Sequence, residues 1–119
     1  KFFHFEFFVQ GGDYVPLEIN SRPPGGAILD MMNYSVDGDL YRAWAGMVAG
    51  RAAELPLAKK YVIGYVGRKD KPYTFSHAEI LARFGHCLVE FGENPSVFSG
   101  IMGRYRYIAA AVRQTGQAP

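Results

Sequence analysis

FFHFEFFVQGGDYVPLEINSRPPGG, residues 2–26, is the stretch on which the reading of this chain turns. Phe3, Phe5, Phe7 and Val9 alternate with His4 and Glu6. Further on, Val15, Leu17 and Ile19 alternate with Glu18 and Asn20. Period two with one apolar face predicts two half-buried antiparallel strands joined by a tight turn.

The parity of the apolar positions constrains the register. For both apolar faces to meet one core, odd residues must lie opposite odd residues, because a one-residue slip turns every side chain to the other face. A two-residue loop at Gly11-Gly12 would pair odd with even. The expectation is therefore a three-residue loop of Gly11, Gly12 and Asp13, with a glycine in the left-handed bulge position. In that register Glu6 faces Glu18 and His4 faces Asn20. Carboxylates facing each other at about 5 Å between Cβ atoms repel by a few tenths of a kcal/mol or more. A cation between them would remove the repulsion, and an all-oxygen donor set suits hard Mg²⁺. The alternative is a solvated acidic face neutralised by His4 and nearby arginines.

The segment F-x-F-E-F-F around Glu6, followed twelve residues later by E-I-N-S-R from Glu18, resembles the metal-binding end of the ATP-grasp ligases. The resemblance implies that Glu6, Glu18 and Asn20 hold Mg²⁺ (or Mn²⁺) against the triphosphate of ATP, which is a substrate. It also implies that Arg22 is a catalytic contact to phosphate or carboxylate. Arg68 follows from it as a substrate-binding candidate, beside the alternative of a solvated turn. Without the resemblance, Arg22 reads as a surface residue in a Pro-rich turn rather than an anion clamp. Where biotin carboxylase-like members carry a bicarbonate-handling Glu, this chain has Pro24-Gly25-Gly26. That departure favours a carboxylate–amine ligase, with ATP and a small carboxylate as partners. The likeness covers the C-terminal third of such an enzyme. The chain, which opens on Lys1 inside an apolar strand, is expected to be a fragment lacking the nucleotide-gripping lobe and inactive alone.

At 119 residues the chain is expected to form a single domain around one core. With 49% hydrophobic and 20% charged residues it is globular. A net charge of +2 argues against a nucleic-acid partner. The one cysteine, Cys87, excludes an internal disulfide and fits a reducing compartment. No long apolar run or signal-peptide layout is present, so no membrane partner and a cytoplasmic location are expected. No His/Cys spacing matches a zinc site.

Beyond the hairpin, Pro23 and Pro24 end strand pairing. Residues 27–34 suggest a short helix, with Asp30 able to face the site and Asn33 to cap a turn. Asp37 is the expected N-cap of a second helix over 38–53, whose stripe of Leu40, Trp44, Met47, Val48 and Arg51 makes Trp44 a core anchor. Pro56 ends that helix. Residues 57–68 predict a strand with bulk on both faces, hence a central one. Ser76-His77-Ala78-Glu79 matches a capping box, which gives His77 and Glu79 structural roles. Strands are expected over 86–91 and 101–112, although the alanines at 109–111 could equally be helical. Residues 114–119 read as a tail. Together these predict an α+β fold, an antiparallel sheet of about four to six strands with about two or three helices on one face. The competing function is a non-catalytic interaction module whose aromatic strands, including Tyr105 and Tyr107, bind a partner or a second copy as a homodimer.

Overall fold

The computed structural model describes residues 1–55 and 58–112, and the fold is α+β. The strands form two antiparallel sheets, of two and three strands. Contacts divide the chain, expected as one domain, into two compact units, with the boundary along the chain between Ala58 and Lys59.

In the first unit β1 (His4–Gln10) pairs with β2 (Asp13–Asn20). The turn corrects the expected three-residue loop. Gln10 pairs with Asp13, and only Gly11 and Gly12 lie between, both left-handed at φ 63° and 93°. That is the two-glycine turn whose twist matches the flanking strands. Parity is restored inside the ladder: Phe7 pairs with Pro16, whereas Glu6 pairs with Glu18, so the register shifts by one between them. Pro16 has no N–H to give to the ladder, and a bulge beside it accommodates that loss.

The bulge also corrects the composition of the faces. Val15 sits opposite Phe8, while Tyr14 and Pro16 sit opposite Val9 and Phe7. Phe3, Phe5 and Phe7 form an aromatic row with centroids 6.0 and 6.5 Å apart, and Tyr14 meets Phe7 edge-on at 6.3 Å. This face was expected to be the core side, yet Phe3, Phe5 and Phe7 are 53%, 51% and 49% exposed. His4, Glu6 and Asn20, on the other face, are half-buried.

Two short helices follow, α1 (Ile28–Val36) and α2 (Leu40–Val48). Asp37 is left-handed at φ 53° and closes α1, its N–H donating to the Asn33 carbonyl. Asp39, rather than Asp37, caps α2 by accepting from the Arg42 N–H at 2.9 Å. The Asn33 side chain accepts from the Leu40 N–H at 2.8 Å and ties the two helices together. Ala27, Leu29, Leu40 and Ala43 are buried here, as is Pro23. Trp44, expected as an anchor, is 39% exposed. The helix ends nine residues in, at Val48, so the longer stripe drawn over 38–53 does not form.

In the second unit β3 (Tyr61–Arg68), β4 (Leu88–Glu93) and β5 (Tyr105–Val112) lie in the order β3-β5-β4. The central strand is β5, with Ile108 at 0% exposure, and β3 is an edge strand, which corrects its expected central place. The alanines Ala109–Ala111 are in the strand, paired with Gly64, Ile63 and Val62. Pairing with β3 along all three, and with Leu88 of β4 at Ala109, overrides their helix propensity. A Cβ on Gly67 would run into the Met102 carbonyl, and one on Gly103 into the Arg68 backbone. These glycines let the end of β3 lie against the turn that follows α4 (Ser99–Met102). Buried Asn94 pins the same turn, donating from Nδ2 to the Gly103 carbonyl at 2.8 Å.

The capping box forms as expected: the Ser76 side chain accepts from the Glu79 N–H, and Glu79 accepts from the Ser76 N–H, at the start of α3 (His77–Phe84). Gly85–Cys87 is a single 3₁₀ turn, so the strand expected from His86 begins at Leu88. The expectations for Pro56, Leu57 and the 114–119 tail lie outside the described residues. No helix among those residues is long and apolar enough to cross a membrane.

Candidate metal centre

The hairpin register gathers four polar side chains on one face. His4 pairs with Asn20 and Glu6 with Glu18 in the ladder, and alternation turns all four away from the phenylalanine row. His4 Nε2 lies 3.2 Å from Glu6 Oε1. One donor atom each from His4, Glu6 and Glu18 fall within 4.8 Å of one another. Asn20 Nδ2 donates to Glu18 Oε1 at 2.7 Å.

In this pose Asn20 orients Glu18; half a turn of its amide would exchange that hydrogen bond for an oxygen ligand. The His4 side chain is 16% exposed and its Nδ1 is buried without a hydrogen-bond partner. Two carboxylates and an imidazole at these spacings could hold a metal ion; Glu6 and Glu18, expected as ligands, belong to this group, whereas Asn20, also expected as one, instead donates to Glu18. His4 stands beside Glu6, the place expected of a residue that neutralises the acidic face.

The other expected site residues are held locally. Arg22 is exposed, and its Nη1 donates to the Pro23 carbonyl at 3.1 Å. Asp30 accepts from the Tyr41 hydroxyl at 2.8 Å across the helix pair. A cleft of about 450 Å³ beside α2 is lined by Asp39, Arg42, Gly46, Arg51 and Glu54, a mixed-charge set that the sequence reading did not anticipate.

Arg68, in the second unit, donates from Nη2 to the Phe75 carbonyl and lies over the Tyr73 ring, 4.3 Å from its centroid. Its Nη1 is buried without a partner. These contacts make Arg68 a clamp on the 69–76 loop. Glu79 is held below the ordinary carboxylate pKa by the Ser76 hydroxyl first, then by the Ser76 N–H, with a smaller contribution from the charge on Arg68.

His77 has a role that sequence reasoning assigned only to the helix cap. Its ring stacks on Tyr105 at 4.3 Å and 11°, and its Nδ1 is 2.7 Å from the Tyr107 hydroxyl. The alternation of Tyr105 and Tyr107 on one face of a strand was the available signal. Cys87 Sγ donates to the Phe84 carbonyl at 3.0 Å, which fits an inert small side chain.

No family model, curated protein or solved structure matches this chain. The functional reading therefore stands on the residues and their geometry.

Proposed function

We propose that the polar face of the hairpin is a divalent-cation site and that the chain is the metal-bearing C-terminal part of an ATP-grasp-type carboxylate ligase. What supports this reading is the register that sets Glu6 opposite Glu18 with His4 and Asn20 beside them. A hairpin that served only as architecture would gain by placing unlike charges there. In the ligase chemistry, a substrate carboxylate oxygen attacks the γ-phosphorus of ATP. ADP leaves, and an acyl phosphate forms. An amine then attacks the acyl carbon and inorganic phosphate departs, the amine losing its proton as the amide forms. The cation, Mg²⁺ or Mn²⁺, supplies charge neutralisation for the phosphates when bound. Glu6 and Glu18 provide the charge that holds it, and Asn20 fixes the Glu18 carboxylate. Arg22, two residues beyond Asn20, is suited to bind an anionic oxygen bidentately once it gives up the Pro23 carbonyl.

The test is thermal unfolding of the chain with Mg²⁺ or Mn²⁺, with and without ADP, in wild type and Glu18→Gln. Ligand at about 100 times its Kd should add about 2.7 kcal/mol to wild-type stability and leave the variant unshifted. Equal behaviour of the two proteins would discard the site. The second reading, a non-catalytic interaction module, draws on the exposed row of Phe3, Phe5 and Phe7. It predicts no cation-dependent shift at all, and for the homodimer version a concentration-dependent mass in solution.

A further inference from the structure

We infer that the surface formed by residues 68–83 of the second unit docks single-stranded nucleic acid, its cations meeting phosphates and its exposed rings meeting bases. The inference is independent of the cation-site reading. The net charge of +2, from which no nucleic-acid partner is expected, is the sum of two unlike parts. Residues 1–58 hold four Lys and Arg against seven Asp and Glu, a balance of −3. Residues 59–119 hold nine against four, a balance of +5. Charge asymmetry between the halves of a chain points to a polyanionic partner for the basic half. In the second unit Glu93 and Glu90 are spent on Arg104 and Arg106. The excess therefore gathers in Arg68, Lys69, Lys71 and Arg83. The acids of that segment are Asp70 and Glu79, and Glu79 is engaged by Ser76 in the capping box.

Charge alone fits any polyanion, and the rings narrow the partner. Arg68 Cζ lies 4.3 Å and Lys71 Nζ 5.3 Å from the centre of the Tyr73 ring, and Arg83 Cζ lies 4.4 Å from that of Phe75. Tyr73 and Phe75 are 42% and 38% exposed. Two exposed rings, two residues apart, thus each carry cations. That is the combination that holds a single strand, with rings stacking on bases and cations following the backbone. Arg68 is anchored by the Phe75 carbonyl and keeps the loop in shape. Lys71 is the movable member. At 5.3 Å it is close to the limit of about 6 Å for a cation–π contact, so its ammonium can exchange the ring for a phosphate and uncover the ring for a base. A duplex keeps its bases stacked inside and offers the rings no free face. An anionic membrane would bury the rings together with their guanidinium groups, which must then lose water; a base stacks on ring or guanidinium alike.

The probe is a fluorescein-labelled oligodeoxythymidylate of about 16 nucleotides, the upper site size of a single-strand-binding module, titrated with the 119-residue chain and read by anisotropy. With Lys69, Lys71 and Arg83 each neutralising a phosphate, log K should fall with log salt at a slope of about −2, about −0.7 per contact. Lys71→Gln should flatten that slope by about 0.7. Tyr73→Leu, which keeps apolar bulk and removes the π face, should weaken binding about 5- to 150-fold with the slope unchanged. Lys1→Gln, in the acidic unit, should change nothing. Circular dichroism checks folding of each variant; the wild-type slope and the exposed Lys71 position test the inference even where Tyr73→Leu does not fold. Competitors are the matching duplex, a polyglutamate peptide and phosphatidylserine vesicles. No saturable binding of the oligonucleotide at about 50 mM salt would overturn the inference. So would a duplex or polyglutamate bound as tightly as the single strand, with Tyr73→Leu indifferent, because charge alone would then account for binding. Vesicles bound in preference to the oligonucleotide would overturn it in favour of a membrane surface.

Discussion

The two units of this chain handle charge in opposite ways. In the three-stranded unit, neighbouring strands bring unlike charges together: Arg106 meets Glu90 at 2.8 Å and Arg104 meets Glu93 at 3.1 Å. Asn94 is likewise satisfied by the Gly103 carbonyl and Tyr107 by His77, although the Tyr65 hydroxyl and Arg68 Nη1 are buried without a partner. The hairpin instead sets Glu6 against Glu18. Packing differs as well. Ile108 at the centre of the second unit is fully buried, whereas the phenylalanine row of the hairpin is half exposed. A strand with neighbours on both sides can satisfy its own groups.

The contrast breaks most easily at the apolar positions. Ile108→Ala should cost about 2–5 kcal/mol, because it empties a fully buried volume. Phe5→Ala, at a half-exposed position, should cost well under half of that. Urea unfolding of both variants checks it, and equal losses would mean that the phenylalanine row is as tightly packed as β5. Next in size is Asn94→Ala, expected to cost about 1–3 kcal/mol by leaving the Gly103 carbonyl and neighbouring turn unsatisfied.

The charged pairs should show a difference of sign. Without added cation, Glu18→Gln should stabilise the chain by a few tenths of a kcal/mol, since it removes a like-charge pairing. Glu90→Gln should destabilise it by up to about 1 kcal/mol, since it removes a partner of Arg106. Thermal melts at low salt would separate the two, and a loss on Glu18→Gln in cation-free buffer would contradict the repulsion.

The smallest effect is at Glu79, whose pKa is lowered in the folded chain by the Ser76 hydroxyl first. A depressed carboxylate pKa stabilises the fold fully above the ordinary Glu value of about 4.3, and that contribution is lost as pH falls through the lower folded value. The melting-temperature gap between wild type and Glu79→Gln should therefore be widest above that pH and shrink in more acidic solution. A gap that widened in acid would reverse the sign.

Much of this was legible before the coordinates, and unevenly so. The pairing of Glu6 with Glu18 and of His4 with Asn20 followed from the period-two pattern together with a three-residue loop, which the structure replaces by a two-glycine turn and a bulge. The device that satisfies it did not, because a bulge beside Pro16 and a longer turn are equivalent for parity. The capping box at Ser76 was readable since all its partners lie within four residues. The place of Trp44, the edge position of β3 and the strand state of Ala109–Ala111 were not, since each depends on residues far along the chain.

Sequence alone determined that His4, Glu6, Glu18 and Asn20 share a face of the hairpin, because backbone pleating makes alternation a local property, whereas the bulge placed Val15 and Tyr14 on faces the alternation did not give. Tertiary structure alone decided which face is covered, which strand is central, and that a histidine nitrogen stands 3.2 Å from one of the two facing carboxylates. Burial and donor spacing arise from contacts between distant segments, and no local pattern of residues encodes them.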